Sequence, residues 1–407
     1  MNESAGAQPM PLSGVTVIDC GQLIAGPMIA MLLADFGADV IKVENPAGGD
    51  PLRSFGKRRG SVPLYWKYLS RNKRSITLAL NRPEGQALFR RVVSAVQPDV
   101  IIESFRPGTL ERWGIGSDCL SELAPGVILV RVSGFGQAGP YRDRPGFGTL
   151  AEAMSGFAHM TGQPDGPPTL PPIPLADCVA ALYATVGVLL ALRVREASPD
   201  GLGQVVDAAL FESLFALLGY QLIEYDQLGL VARRNGNRAP TSAPRNLYPT
   251  ADGLWVAVAA STQSIAERLF AAIGQKHLID DPRFATNEAR LEHVDEVDAI
   301  VTAWTSQRTR DEALADLIAA EVAAAPVADM ADLACDPHLV ARGAIATVDD
   351  PDLGTVRMPG VLPQLSRTPG AIRRPAPSQG DANHDVYTGI LGVAEPELRE
   401  LRDAGVI

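Results

Sequence analysis

Asp177 stands in the run Pro171-Pro-Ile-Pro-Leu-Ala-Asp-Cys-Val-Ala180, just ahead of the longest apolar stretch of the chain. Two roles fit an aspartate there. Asp is a favoured helix N-cap, because its carboxylate can accept from first-turn N–H groups. The same N–H groups stabilise an ionised carboxylate, and a carboxylate in an apolar cleft is a workable nucleophile toward a thioester carbonyl. Residue type and spacing leave both roles open. A second candidate group is cationic. Arg106 and Arg112 accompany Ser104-Phe-Arg-Pro-Gly108, which follows a strand-like run and opens a helix-like one, the place where open α/β sheets bind ligands. There the two guanidinium groups could hold phosphates and Phe105 could face a purine. A further basic cluster is Arg71-Asn-Lys-Arg74. The alternative for both clusters is solvated surface.

Other chemistries find less support. The run Val15-Thr-Val-Ile18, a turn at Cys20-Gly-Gln-Leu-Ile-Ala-Gly-Pro27, and Glu44 at the end of the next strand invite a nicotinamide-dehydrogenase reading. The turn has no G-x-G-x-x-G, Pro27 removes a backbone donor, and no P-loop is present. The five histidines (159, 277, 293, 338 and 384) lack ligand spacing, so no metal site is expected. Serine-based acyl transfer would want a G-x-S-x-G elbow, and Val132-Ser-Gly-Phe-Gly136 is only loosely similar.

The elements that must position these residues read as alternating strands and helices. Strand runs fall at Val15–Ile18, Ala38–Glu44, Asp99–Glu103 and Val127–Val132, with helices at Met28–Phe36 and Pro83–Val96. That alternation predicts an α/β fold with a Rossmann-like parallel sheet. A helical stretch over 204–229, a polar loop at 233–245, a strand at Leu254–Val258 and several amphipathic helices predict a smaller α+β domain. The expected partition is a large domain of 1–203 with 345–407, a linker at 204–229, a small domain at 230–330 and a second linker at 331–344. A final helix is predicted at Glu395–Ala404.

Composition bounds the partners. The 407 residues carry a net charge of −11, with 46% hydrophobic and 20% charged residues, ordinary values for a globular protein. An acidic chain is a poor nucleic-acid binder. The apolar run Cys178–Leu192 falls short of the ~20 residues of a bilayer span and reads as a buried helix, so no membrane association is expected. Four scattered cysteines form no CxxC pair. They read as buried filler in a reducing compartment, and the N-terminus lacks the layout of a signal peptide. The expected location is cytoplasmic.

Several short motifs in one order carry a resemblance. They are Pro11-Leu-Ser-Gly-Val-Thr-Val-Ile-Asp19, Ala25-Gly-Pro27, Leu33-Ala-Asp-Phe-Gly-Ala-Asp-Val-Ile-Lys-Val-Glu44, Asn72-Lys-Arg-Ser75 and Pro83-Glu-Gly85. They continue in Phe105-Arg-Pro-Gly108, Met154-Ser-Gly156, Thr161-Gly-Gln-Pro-Asp-Gly-Pro-Pro168 and Pro174-Leu-Ala-Asp177. Over nearly its whole length the chain resembles the class III CoA-transferases, the formyl-CoA transferase or CaiB–BaiF family. The resemblance implies that Asp177 is the catalytic carboxylate, forming a mixed anhydride and then an aspartyl-CoA thioester. It places CoA contacts on Ile24, Ala25, Leu78, Ser104, Phe105, Arg106 and Arg112. No cofactor is implied beyond CoA and acyl-CoA as substrates, with small carboxylic acids as acceptors. The family's architecture implies an interlocked, ring-like homodimer.

Two departures bear on the contacts: Ser104 stands where several relatives carry Asn, and Asn45 where the formyl-CoA enzyme carries Arg. The fold also resembles that of α-methylacyl-CoA racemases, which need a His-Asp pair in the segment matching Phe147-Gly148. Phe is no general base, which favours transfer over epimerisation. A non-catalytic CoA-binding protein is the further alternative. Phe147 and Gly148 are expected to border the acyl group, the missing side chain at Gly148 enlarging that end of the pocket, and Gly146-Phe-Gly148 is a candidate source of oxyanion donors. The segment Ala243-Pro-Arg-Asn-Leu-Tyr248 is similar to that of members handling succinyl-type or branched dicarboxylates. Arg245 would then either pair with a distal carboxylate or brace its own loop.

Overall fold

The computed structural model describes residues 9–407. Runs of Val and Ile that are buried on alternate sides build the central sheet. Val17 and Ile102 point into one apolar cluster with Ile29, Leu33 and Val188, while Ile18 and Ile101 point into another with Ile41, Phe89 and Val92. A strand buried on both faces needs helices on both faces, and that is the parallel, doubly wound solution. The chain runs β1 (Thr16–Cys20), α1 (Ala25–Asp35), β2 (Asp39–Glu44), β3 (Lys73–Thr77), α2 (Pro83–Val96) and β4 (Val100–Glu103). It continues through α3 (Thr109–Arg112), β5 (Ile128–Ser133), α4 (Gly148–Met154), α5 (Leu175–Ala197), β6 (Val205–Ala209) and α6 (Leu210–Ala216). The six strands are all parallel in the order β3-β2-β1-β4-β5-β6.

Two of these strands differ from the sequence expectation. β3 arises from the basic cluster at 71–74, whose charges are paired with acids, two of them inside the protein. Arg71 is buried and pairs with Asp35 at 2.6 Å, Lys73 is buried against Asp19 at 2.9 Å, and Arg74 pairs with Asp39. The cluster is therefore structural and offers no phosphate site. β6 lies within the stretch expected to be a helical linker; it forms the sheet edge against β5, and helix begins only at Leu210.

The apolar run after Asp177 is also longer than expected. α5 has 23 residues, enough by length and composition to cross a bilayer. Its inner face, including Ala180, Ala184, Val188 and Leu192, is buried in the core with α1, the sheet and α6.

The chain divides into two units. The first comprises the residues up to Phe157 with Pro171–Tyr220 and His338–Ile407; the second comprises Ala158–Leu170 with Gln221–Pro337. The expected partition differs at 158–170, at 204–220 and near 337. The segment Ala158–Leu170 groups with the second unit because the Arg234 guanidinium donates to His159 O (2.9 Å) and Gly166 O (3.0 Å). Residues 204–220 belong to the first unit because β6 completes its sheet. The second unit is a three-stranded antiparallel sheet of β7 (Arg245–Pro249), β8 (Trp255–Ala259) and β9 (Ala324–Pro326), with β8 central. It packs with helices α7 (Gln263–Ala272), α8 (Val294–Thr305) and α9 (Arg310–Ala319) around Tyr248, Val256, Phe270, Phe284 and Leu317. A capping box of Thr309 and Glu312 starts α9.

Candidate active site

The strand order reverses between β1 and β4, so the loops leaving their C-terminal ends diverge and open a crevice there. A cleft of about 550 Å³ occupies it. Gln22, Leu23 and Ala25 follow β1, Ser104 to Pro107 follow β4, and Val132 to Gly134 end β5. Arg142, Arg144, Pro145 to Phe147 and Asp177 line it too, with Thr109, Trp113 and Leu210.

The turn after β1 is held from below by buried charge. Lys73 pairs with Asp19 at 2.9 Å and donates to Pro27 O at 2.8 Å, while Lys42 pairs with Asp50 at 2.8 Å and donates to Gly21 O. Asp50 Oδ1 accepts the Leu23 N–H at 3.1 Å, fixing a left-handed residue with φ of +61°. Gln22 N–H donates to Ser104 Oγ at 2.8 Å, tying the β1 loop to the β4 loop. Burial alone would lower the Lys42 ammonium, yet the Asp19 and Asp50 charges hold it above its ordinary value. Burial leaves Lys73 below its ordinary value despite Asp19.

Beyond β4, Glu103 Oε2 accepts the Phe105 N–H at 2.7 Å, and Glu103 is itself anchored by Arg131 at 2.7 Å. The Phe105 ring meets Trp113 edge-on at 5.1 Å. Arg106 is exposed on the cleft and makes no ion pair among the described residues. Arg112 donates to Thr109 Oγ1 at 2.8 Å and is not part of the lining. Arg142 and Arg144 add two cations that the sequence reading missed; their signal was Tyr141-Arg-Asp-Arg-Pro145 between two glycine-containing turns. Gly134 and Gly146 approach so closely that a Cβ on either would lie 2.6 Å from the other's Cα, which brings the loop carrying Phe147 onto the end of β5.

Asp177 is not an N-cap. The helix begins two residues earlier at Leu175, with Pro174 at the N-cap and no side-chain capping bond. Asp177 therefore lies in the first turn of α5, mostly buried, with its carboxylate on the cleft. Its pKa is pushed from the ordinary 3.8 up to about 6, chiefly by burial and then by the charge of Glu152, against a small opposing effect of its own backbone N–H. Glu152, on α4, is 3% exposed and accepts the Ala176 N–H at 3.3 Å. Gly148 does not enlarge the pocket, because the space a side chain would take is filled. A Cβ there would lie 2.1 Å from Asp177 Oδ2. Phe147 is 63% exposed at the N-cap of α4 and lines the cleft.

Three further expected contacts lie off the lining. Ile24 is buried in a cluster with Met31, Leu52 and Trp66, although Ala25 beside it lines the cleft. The Leu78 side chain is buried in the core, and its N–H is committed to Glu44 O at 2.7 Å. Arg245 belongs to the second unit, where it donates to Asn237 O at 2.8 Å, which is the bracing contact, and lines a separate cavity of about 710 Å³.

A cleft of mixed apolar and polar lining, with guanidinium groups along it and one basic, accessible carboxylate, suits a phosphate-bearing acyl thioester and covalent acyl transfer. The profile of CoA-transferase family III matches residues 12–383. The chain is 46% identical to the succinyl-CoA–D-citramalate CoA-transferase of Chloroflexus aurantiacus, over 99% of this chain and 100% of that one. It is 44% identical to the succinyl-CoA–L-malate CoA-transferase beta subunit of the same organism, over 98% of each. Among solved structures, a CAIB/BAIF family protein from Brucella suis superposes with a TM-score of 0.84 at 31% identity, covering 94% of this chain and 100% of that one. The chain belongs to CoA-transferase family III, and its α/β unit carries the cleft.

Proposed function

We propose that the enzyme moves CoA from succinyl-CoA to a small hydroxylated or branched carboxylic acid through covalent adducts on Asp177. An Asp177 oxygen attacks the thioester carbonyl, the C–S bond breaks, and CoA thiolate leaves a mixed anhydride. The thiolate then attacks the Asp177 carbonyl carbon, forming the aspartyl thioester and releasing the donor acid as its carboxylate. The acceptor carboxylate repeats the two steps in reverse, restoring Asp177. No proton is gained or lost, so no general base is required, and no histidine lines the cleft. What the reaction needs is an ionised carboxylate and donors for the oxyanion. The N–H groups of Gly148 and Thr149, at the start of α4 beside Asp177, make no hydrogen bond among the described residues and are the candidate donors.

The observation that carries the reading is the basic, mostly buried Asp177 carboxylate facing a cationic cleft. The relatives named above supply the donor class and the kind of acceptor. Arg106, Arg142 and Arg144 are the phosphate ligands in this reading. The outer face of α5 presents Leu182, Val186, Leu189, Leu190 and Val194, each at least 44% exposed. An apolar stripe of that extent supports burial in an interlocked homodimer.

The test pairs succinyl-CoA with a panel of hydroxy and branched dicarboxylic acids, read by mass spectrometry, in wild type and Asp177→Ala. Transfer to at least one acceptor and hydroxylamine trapping of the acylated enzyme are expected only when Asp177 is present. Transfer at the wild-type rate in Asp177→Ala would overturn the mechanism. Exchange of the α-hydrogen of a 2-methylacyl-CoA, with no transfer, would restore the racemase alternative.

A further inference from the structure

Resting on the assignment of Asp177 as nucleophile, we propose that Glu152 is a positioning residue for the transfer: it holds the first turn of α5 and acts on Asp177 through its own charge from across Gly148. The two carboxylates meet at one glycine. A Cβ on Gly148 would lie 2.1 Å from Asp177 Oδ2 and 4.0 Å from Glu152 Oε1. Gly148 and Glu152 are four residues apart on α4, hence on one face of the helix. Glu152 Oε1 accepts the Ala176 N–H, the residue immediately before Asp177.

Glu152 is 3% exposed and makes no ion pair among the described residues. Burying a carboxylate without a cation is unfavourable, and one N–H bond offsets little of that. A glutamine would accept the same hydrogen bond without burying a charge. A charge on Glu152 is thus the one property by which it differs from a glutamine in its action on Asp177.

Few other groups can set the electrostatics of Asp177. Cys178, next along α5, is pushed up by burial, with Asp177 and Glu152 adding to it. Tyr65 is pushed up to about 12, again chiefly by burial. Both are neutral at working pH. The cations lining the cleft, Arg106, Arg142 and Arg144, make no ion pair with Asp177.

A more basic Asp177 has a chemical consequence. In the mixed anhydride two carbonyl carbons compete for the thiolate, and attack expels the carboxylate of the other side. An ordinary carboxylic acid, with a pKa of about 4.3, leaves better than a carboxylate near 6. Attack on the Asp177 carbonyl, which breaks its bond to the bridging oxygen and releases the donor acid, is then favoured over return to acyl-CoA.

The experiment measures kcat/KM for succinyl-CoA against pH in wild type, Glu152→Gln, Glu152→Asp and Asp177→Asn, with thermal midpoints alongside. In Glu152→Gln the acid limb should move down by about one pH unit, with the thermal midpoint no lower than in wild type. Glu152→Asp, which keeps the charge, should keep the limb near its wild-type position. If Glu152→Gln does not fold, Glu152→Ser replaces it in the pH series, checked against the wild-type chain. Its 13C carboxyl signal for Asp177, assigned by its loss in Asp177→Asn, should titrate well above about 3.9. An unmoved limb in folded Glu152→Gln, or ordinary titration of that signal, overturns the inference while Asp177→Asn stays inactive. Activity surviving in Asp177→Asn overturns the nucleophile assignment, and the inference with it.

Discussion

Two groups of buried carboxylates lie in the same α/β unit, and they are treated in opposite ways. Asp19 and Asp50, under the turn after β1, are at most 2% exposed and are met by Lys42 and Lys73, both fully buried. Asp177 and Glu152, where α4 meets α5, are met by no cation among the described residues, and Asp177 is pushed up to about 6 by burial and by its neighbour. The first group is closed: each charge is matched, each lysine also donates to a backbone carbonyl, and the result is a fixed turn. The second is open, and the unfavourable energy of unmatched charge remains as reactivity. Uncompensated buried acids in a cleft mark function, while compensated ones mark structure.

The largest expected effect comes from breaking the closed group. Lys73→Met leaves Asp19 with only Lys42, at 3.7 Å, and should destabilise the protein by about 3–5 kcal/mol in denaturant titration. Adding Asp19→Asn to Lys73→Met should recover much of the loss, since a buried pair replaced together is nearly neutral. If Lys73→Met costs under about 1 kcal/mol, the network is not what holds the turn, and the contrast with Asp177 disappears.

How much of each group could be read from the sequence follows from the same contrast. β1, β2, β4 and β5 are legible because apolar β-branched runs buried on both faces have no other use. β3 is not legible, because Lys73-Arg-Ser-Ile-Thr77 has the polarity of a surface loop until its partners Asp19 and Asp39, far away in the chain, are known. β6 is hidden by the helix-forming residues that follow its short Val205-Val-Asp-Ala-Ala209 run. Asp177 was visible as a candidate, but Pro174 rather than Asp177 caps the helix, a difference of three residues that composition does not resolve. Glu152 left no signal. Its importance comes from a contact 24 residues along the chain, with the N–H of Ala176. Gly148 was visible but misread, because an absent side chain suggests space, and here Asp177 fills it.

That misreading leads to the second prediction. Gly148→Ala places a methyl where Asp177 Oδ2 now lies. The neighbour in the way is the end of a side chain, so the carboxylate should rotate aside and the fold should persist. The expected outcome is a loss of about 10- to 100-fold in kcat, with a thermal midpoint close to wild type. Equal losses of stability and activity would mean that the glycine serves packing, and the open group would lose one of its defining contacts.

The smallest effect concerns the energy stored at Asp177. Its folded pKa, about 6, lies above the ordinary 3.8, so between those values the folded chain binds the proton more tightly than the unfolded chain. Stability contributed by the protonated form is complete below about pH 3.8 and falls as pH rises to about 6, beyond which the ionised carboxylate works against folding. Asp177→Asn removes that ionisation. At pH 8 the asparagine variant should be more stable than wild type by about 1–2 kcal/mol, taken from 1.36 kcal/mol per pKa unit and reduced for the solvent that reaches the cleft. The gain should shrink as pH falls and vanish near pH 4, measured by urea titration at each pH. An inactive variant that is more stable only above that window would show the open group trading stability for chemistry. A gain that is the same at every pH would instead mean that Asp177 is unfavourable for its shape, and the distinction between the two groups of carboxylates would rest on packing rather than on charge.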